Sequence, residues 1–395
     1  MKEGWEEKKI GDVCTILNGG TPKTNVPEYW DGDVLWITPK DMGQLTSEYV
    51  SDTSRKISKL GLQKSSAKLI PINSIILSTR APIGHLAINT KEITTNQGCR
   101  GLVPDEVLDT RYLYYFCCNS VERFNDLGSG TTFKELSKKA LSSVIIPIPP
   151  LPEQKEIVKI LDEAFSAIDE AKANIEKNIE NARELFQSRL NEIFSRKGNG
   201  WIIKELKILS NIMYGHTAKS SGTFKGPKYL RITDIQDNHV DWNEVPNCLH
   251  LKDDYEKYEL KCGDIVFART GATTGKSFLI KKCPDAVFAS YLIRVQPDQD
   301  VISPEFLYMF FQSPKYWRVI ESGISGSAQG GFNAKKLGNL LIPIPPLSEQ
   351  KEIVAKLDEL NRHCKESEEK YQQKLTNLEE LKKSLLQKAF AGELT

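Results

Sequence analysis

The chain states one long phrase twice. Residues 146–163 read IPIPPLPEQKEIVKILDE and residues 342–359 read IPIPPLSEQKEIVAKLDE, agreeing at 15 of 18 positions with a separation of 196 residues. Trp5 and Trp201 stand at the same separation, each followed three residues later by a lysine, Lys8 or Lys204. A repeat on this scale means a fold built from two similar halves. Between the anchors the resemblance is weaker but keeps its order. VLWITPKDM (34–42) answers YLRITDIQD (229–237), SIILSTRAPIG (74–84) answers DIVFARTGATTG (264–275), and YLYYFCCN (112–119) answers FLYMFFQS (306–313).

Each half divides into a globular part and a helix. Short β-branched and aromatic runs, such as Ile75 to Leu77, Val144 to Ile146 and Ile265 to Phe267, alternate with Gly, Pro, Asn and Asp clusters. That pattern reads as a strand-rich mixed α/β (α+β) domain. Pro147, Pro149 and Pro150, with Pro343, Pro345 and Pro346, impose an extended approach, because proline lacks an amide donor and biases its predecessor away from helix. A helix then starts at once, with Pro152 or Ser348 in its first turn and Glu153 or Glu349 favouring its positive end. The division is 1–147 and 198–342 for two similar globular domains, and 148–197 and 343–395 for two long spacer helices.

The helices carry a heptad seam. In the first, Ile157, Leu161, Ala164, Ile168, Ala171, Ile175, Asn178, Ala182 and Leu185 step by four and three; in the second, Ile353, Leu357, Leu360, Cys364, Ser367, Tyr371, Lys374, Leu378 and Leu381 repeat the register. Such a seam predicts a coiled coil. Each helix of about 45 residues would be about 65 Å long, a spacer between the globular domains.

Apolar residues make up 39% of the 395 and charged residues 27%, the balance of a globular protein, with no apolar run long enough to span a bilayer. The polar stretch Met1 to Lys9 carries no export signal, so a cytoplasmic, non-membrane protein is expected. Eight scattered cysteines with no C-x-x-C pair read as reduced thiols. Net charge is +1 and no segment departs from neutrality by more than three charges, so the basic footprint of a nonspecific DNA binder is missing.

Two short motifs suggest an enzyme and both fail on context. DLGSGT (126–131) resembles a glycine-rich loop for S-adenosylmethionine, but the polar NSVERFN before it is not a buried strand. GATTGKS (271–277) resembles a phosphate-binding loop, yet three residues separate Gly271 and Gly275 where four are required. No Asn-Pro-Pro-aromatic signature of adenine methylation occurs, and no histidine has a metal or nucleophile partner at useful spacing. A self-sufficient methyltransferase or nuclease is therefore disfavoured.

The doubled proline-rich helix entry, the closing SLLQKAFAGEL (384–394) with its partner LFQSRLNEIFS (185–195), and NGGTPKTNVPEYWDGDVLWITPKDM (18–42) resemble the DNA specificity (S) subunits of type I restriction-modification enzymes. The resemblance covers essentially the whole chain. It implies a non-catalytic, sequence-specific DNA-binding subunit whose two target recognition domains each read half of a bipartite site on double-stranded DNA. The two long helices would pack against each other as an antiparallel coiled coil and dock two methyltransferase (modification) subunits, and through them restriction/translocase subunits. Within this chain it implies no cofactor; S-adenosylmethionine, ATP and Mg are expected on the partners. The second domain departs from the pattern, with Tyr214, Gly215, His216 and Thr217 where the first has its GGTP stretch.

Base edges are read by Arg, Lys, Asn, Gln or hydroxyl groups. In loops bordering the apolar strands these are Thr21, Lys23, Thr24, Lys40, Arg80 and Arg100 in the first domain, and His216, Lys219, Arg231, Arg269, Thr270, Lys276 and Gln329 in the second. Arg80 and Arg269 stand out, since each closes an apolar strand and opens a glycine-containing turn, although a direct alignment leaves them one position out of register. Trp5 and Trp36 read as core. The seam residues Ile157, Leu161, Ile168, Ile175, Ile353, Leu357, Leu360 and Leu378 read as helix packing. The competing reading is a coiled-coil adaptor whose globular domains bind protein rather than DNA.

Overall fold

A computed structural model describes residues 2–130, 134–196, 198, 200–221, 226–236, 238–249, 255–325 and 331–395. It falls into two compact units, Met1–Ile175 with Gln373–Thr395, and Glu176–Gln372. The globular segments and helices of the sequence are stretches of chain; each compact unit instead takes one globular segment with a portion of both long helices.

In the first unit, β1 (Glu6–Lys9) leads to β2 (Cys14–Asn18), β3 (Trp30–Ile37), β4 (Tyr49–Val50), β5 (Arg55–Ile57), β6 (Ile75–Thr79), β7 (Ile83–Asn89), β8 (Ile93–Thr95), β9 (Cys99–Pro104) and β10 (Ile145–Ile148). They form a five-stranded sheet ordered β2-β9-β6-β7-β4, a three-stranded sheet β5-β3-β8, and the two-stranded ribbon β1-β10. The second unit contains β11 (Ile202–Glu205), β12 (Ser210–Tyr214), β13 (Ser220–Ser221), β14 (Lys228–Leu230), β15 (Asn247–Cys248), β16 (Ile265–Ala268), β17 (Ser277–Leu279), β18 (Ala286–Phe288), β19 (Leu292–Pro297) and β20 (Leu341–Ile344). Its sheets β12-β19-β16-β17, β13-β15-β14-β18 and β11-β20 repeat the plan.

Hydrogen-bond register locates the repeat more finely than matching letters does. Leu35 faces Ile93 in a parallel pair, and Lys228 faces Ala286 in the corresponding one. Leu35 thus corresponds to Lys228, Trp36 to Tyr229 and Thr38 to Arg231, a separation of 193. The match of VLWITPKDM to YLRITDIQD is therefore two residues out of register. The one-position offset between Arg80 and Arg269 holds in the structure. The amide of Thr79 donates to the Gly98 carbonyl at 2.8 Å, and the amide of Arg269 makes the corresponding bond to Tyr291 at 3.3 Å. Arg269 stands in the place of Thr79, and Arg80 in that of Thr270. Loop deletions between strands shift the numbering while the ladder bonds stay put.

The proline-rich phrase owes its repetition to a buried glutamine. Gln154, with no exposed surface, accepts the amide of Asp109 at 2.8 Å and donates to the carbonyls of Val107 (2.9 Å) and Pro149 (2.8 Å). Gln350, equally buried, accepts from Ser303 at 2.8 Å and donates to Val301 (3.0 Å) and Pro345 (2.9 Å). Asp109 and Ser303 are themselves the N-caps of the helices Thr110–Asn119 and Pro304–Phe311. One side chain in each unit therefore ties the extended proline entry, a capped helix and the start of a long helix together.

The long helices are Leu151–Ser195 and Leu347–Ala391. In the first unit, Ile157, Leu161, Phe165 and Ile168 join Trp5, Tyr112, Phe116, Leu386 and Ala389 in one core, with Leu378 packed against it. Lys172 pairs with Glu379 and Lys382 with Asp169 at 3.7 Å, so the two stretches run antiparallel. In the second unit, Leu190, Phe194 and Leu357 share a core with Phe306 and Phe310, flanked by Phe186 and Ile353, and Arg183 meets Glu368 at 3.1 Å. Ile175 and Leu360 are half-buried.

The strict heptad does not persist along either helix. Leu185 is 55% exposed and Leu381 46%. The sheltered positions are Ile179, Ala182 and Phe186 in one helix and Leu375, Leu378 and Lys382 in the other, while Asn178 and Lys374 point outward. The stripe hops one residue at the same repeat position in both. A straight helix of 3.6 residues per turn drifts about 20° per heptad, so an unsupercoiled seam must slip in this way.

Candidate nucleic-acid interface

In the first unit three chain segments converge on the turn between β8 and β9. The Gly20 amide donates to the Thr95 carbonyl at 2.8 Å, that of Asn96 to Ile37 at 2.9 Å, and that of Thr79 to Gly98 at 2.8 Å. Gly19 lies so close that a Cβ there would sit 1.8 Å from the Asn96 carbonyl oxygen. The turn is closed internally by the Cys99 amide on the Asn96 carbonyl at 3.1 Å and the Gly98 amide on the Asn96 side chain at 3.0 Å. With its backbone so engaged, the turn holds Gln97 exposed at the surface, where its amide takes the Thr21 hydroxyl. The Nε1 of buried Trp36 clamps the first segment from beneath by donating to the Gly20 carbonyl at 2.9 Å.

The second unit repeats this frame around the turn between β18 and β19. The His216 amide donates to Phe288 at 2.9 Å, that of Ala289 to Leu230 at 2.9 Å, and that of Arg269 to Tyr291 at 3.3 Å. Gly215 stands in for Gly19, with a hypothetical Cβ 2.2 Å from the Ala289 carbonyl oxygen. Tyr229 replaces Trp36, its hydroxyl donating to the His216 carbonyl at 2.7 Å. The side chain presented here is Tyr291, 61% exposed, and Arg269 stacks over the Tyr214 ring at 4.9 Å.

The family model "Type I restriction modification DNA specificity domain" matches residues 2–181 and again 184–377. This chain belongs to that family. It is 27% identical to the MjaIX specificity subunit of Methanocaldococcus jannaschii, over all of this chain and 94% of the relative. To the EcoKI specificity subunit of Escherichia coli it is 25% identical, over all of this chain and 90% of the relative. Among solved structures, a chain from a study of assembly and conformational transition of the type I R-M system matches over 100% of this chain and 99% of its own, with TM-score 0.78 and 21% identity. The HsdS subunit of Thermoanaerobacter tengcongensis matches over 100% and 98%, with TM-score 0.66 and 21% identity.

In this specificity subunit the residues singled out from sequence fall into distinct places. Thr21, Lys40 and Arg80 belong to the three segments that hold the β8–β9 turn, and all are exposed. Lys40 rides on the short helix Pro39–Met42, closed by a capping box between Thr38 and Asp41. Burial would raise the Asp41 pKa, but hydrogen bonds from the Ser54 and Thr38 side chains and the Thr38 amide hold it below the usual carboxylate range. Lys23 and Thr24 are exposed beyond Thr21, the Lys23 carbonyl accepting the Trp30 indole at 3.2 Å. Arg100 lies elsewhere: it is buried, its guanidinium spent on Asn18, the Leu136 carbonyl at 3.3 Å and Glu135 at 3.6 Å, and burial lowers its pKa. Strand alternation turns it inward, away from the surface where sequence alone had put it.

His216, Arg231, Arg269 and Thr270 belong to the frame of the second turn and are half-buried. Arg231 occupies the Thr38 position and grips Asp234 with Nε (3.0 Å) and Nη2 (2.6 Å), which pushes its pKa up. Lys219 and Lys276 are exposed at the flanks. Gln329 lies outside the described residues. Gln97 and Tyr291, at the centre of each frame, escaped sequence reasoning because neither adjoins a recognisable motif. Their signal was the short polar break between two apolar runs, ITT and CRGLV in one copy, AVFA and LIRV in the other.

Among the described residues, no three His, Cys, Asp or Glu side chains are grouped to hold a metal, and no helix is long and apolar enough to cross a membrane. All eight cysteines are free. Burial, with Asp105 nearby, pushes the Cys14 thiol up to about 12.

Proposed function

We propose that this subunit reads a bipartite site on double-stranded DNA, one half-site per globular domain, with the long helices setting the gap and docking two methyltransferase subunits. One observation carries the reading: the same three-segment frame is built twice around an exposed turn, with different side chains on each. Direct readout needs a rigid mount and variable polar or aromatic tips. A near-neutral charge leaves little nonspecific affinity to the subunit alone, so the partners supply phosphate contacts. Catalysis, S-adenosylmethionine, ATP and Mg belong in this reading to the methyltransferase and restriction/translocase subunits, and the complex works in the cytoplasm. The test is replacement of residues 1–146 by another such domain in the assembled complex, followed by motif-resolved methylation mapping. One half-site changes and the other persists; a change in both would sink the modular reading.

A further inference from the structure

We infer that Gln97 and Tyr291 are specificity-determining residues, each discriminating bases in one half-site, with Thr21 positioning Gln97. This rests on the DNA-reading role proposed above and adds the contacts themselves. In both units the backbone of the turn is bonded inward to three separate segments, so the turn is held at points far apart in sequence. What the frames share lies against or beneath the turn: half-buried Gly19 and Gly215 pressed on its backbone, and buried Trp36 and Tyr229 under the incoming segment. What differs is outward. The turn Asn96-Gln97-Gly98 presents a carboxamide, and Ala289-Ser290-Tyr291 presents a phenol.

A frame kept between copies while its exposed tip changes is what two unlike half-sites require of one fold. The chemistry of the tips suits the task. A carboxamide carries donor and acceptor together and can pair with a base edge bidentately, while a tyrosine offers a hydroxyl and a ring face. The Thr21 hydroxyl, bonded to the Gln97 amide, limits the side-chain freedom that contact with a base would otherwise have to freeze. Gly98, packed so that a Cβ would lie 3.0 Å from the Pro39 ring, keeps the first turn low beside Gln97; at the corresponding place the second copy raises Tyr291.

The experiment uses the full chain co-expressed with its methyltransferase subunits in a host lacking other adenine methylation, with methylation rates read over a library of randomised half-sites. Gln97→Ala lowers discrimination at one base pair of one half-site by about tenfold or more, and Tyr291→Ala does so only in the other. Gln97→Glu shifts the preferred base toward a donor such as cytosine N4. Thr21→Val weakens discrimination at the Gln97 base pair, and Thr21→Ser restores it. Thermal midpoints of the complexes stay at the wild-type value, and Tyr291→Phe separates the hydroxyl from the ring if Tyr291→Ala fails to assemble. Unchanged discrimination in the alanine variants, or a uniform loss over all sequences as a phosphate contact gives, overturns the inference. A wild-type complex showing no sequence preference would refute the parent reading instead.

Discussion

The side-chain carbonyl of Gln154, a residue with no exposed surface, accepts the amide of half-buried Asp109 at 2.8 Å, across 45 residues of chain. Removing it leaves that amide and the carbonyls of Val107 and Pro149 without their partner. A stranded buried group costs about 1–3 kcal/mol, and of the three bonds the one to Pro149 is fully buried, so Gln154→Leu destabilises by about 1–3 kcal/mol, and Gln350→Leu does the same through the buried bond to Pro345. Denaturant unfolding of the purified chain checks this; equal midpoints for wild type and Gln154→Leu would refute it.

The capping box at Thr38 and Asp41 carries a pH signature. Because the folded-state pKa of Asp41 is depressed, its stabilising contribution is complete above the ordinary carboxylate range and is lost as pH falls through the lower folded value. Asp41→Asn should cost about 1 kcal/mol at neutral pH. The gap between wild type and variant should close on acidification, as followed by denaturation midpoints from pH 7 downward.

Arg294 and Asp264 are buried together in the second unit, 3.9 Å apart, with Arg294 also donating to the Glu259 carbonyl at 2.6 Å. The corresponding residues of the first unit are Gly101 and Ser74, so the fold does not need the pair. Breaking it alone is another matter. Asp264→Ala strands a buried cation and costs about 3–5 kcal/mol, whereas Asp264→Ser combined with Arg294→Met costs far less. A double-mutant cycle on thermal unfolding measures the difference.

The slipped helix seam separates neighbouring substitutions. Leu185→Asp and Leu381→Asp, at exposed positions, stay within about 0.5 kcal/mol of wild type, while Ile179→Asp and Leu375→Asp, at sheltered ones, lower the midpoint clearly. An uninterrupted heptad demands the reverse order. Circular-dichroism melting of the four variants decides between them.

Much of the architecture was legible in the chain because it rests on local chemistry. The prolines that force an extended entry, the acidic first turn and the apolar stripe of each long helix act within a few residues of themselves. The candidate surface was legible only in part. Thr21, Lys40, Arg80, His216, Arg231 and Arg269, which border apolar strands in the sequence, lie in the segments of the two frames, yet Arg100 borders one too and is buried. Gln97 and Tyr291 had no neighbouring pattern to mark them.

The sequence by itself determined that the protein is two similar halves, each a mixed α/β domain feeding a long helix, since a repeat and a helical period are written along the chain. Tertiary structure alone decided the rest. That Thr38 answers Arg231, that Gln154 ties three segments together, that the seam slips at Ile179 and Leu375, and that Gln97 and Tyr291 stand at the centre of their frames all depend on distant parts of the chain meeting. Ladder hydrogen bonds and buried contacts set those meetings, and loop lengths that vary between the copies hide them from any reading residue by residue.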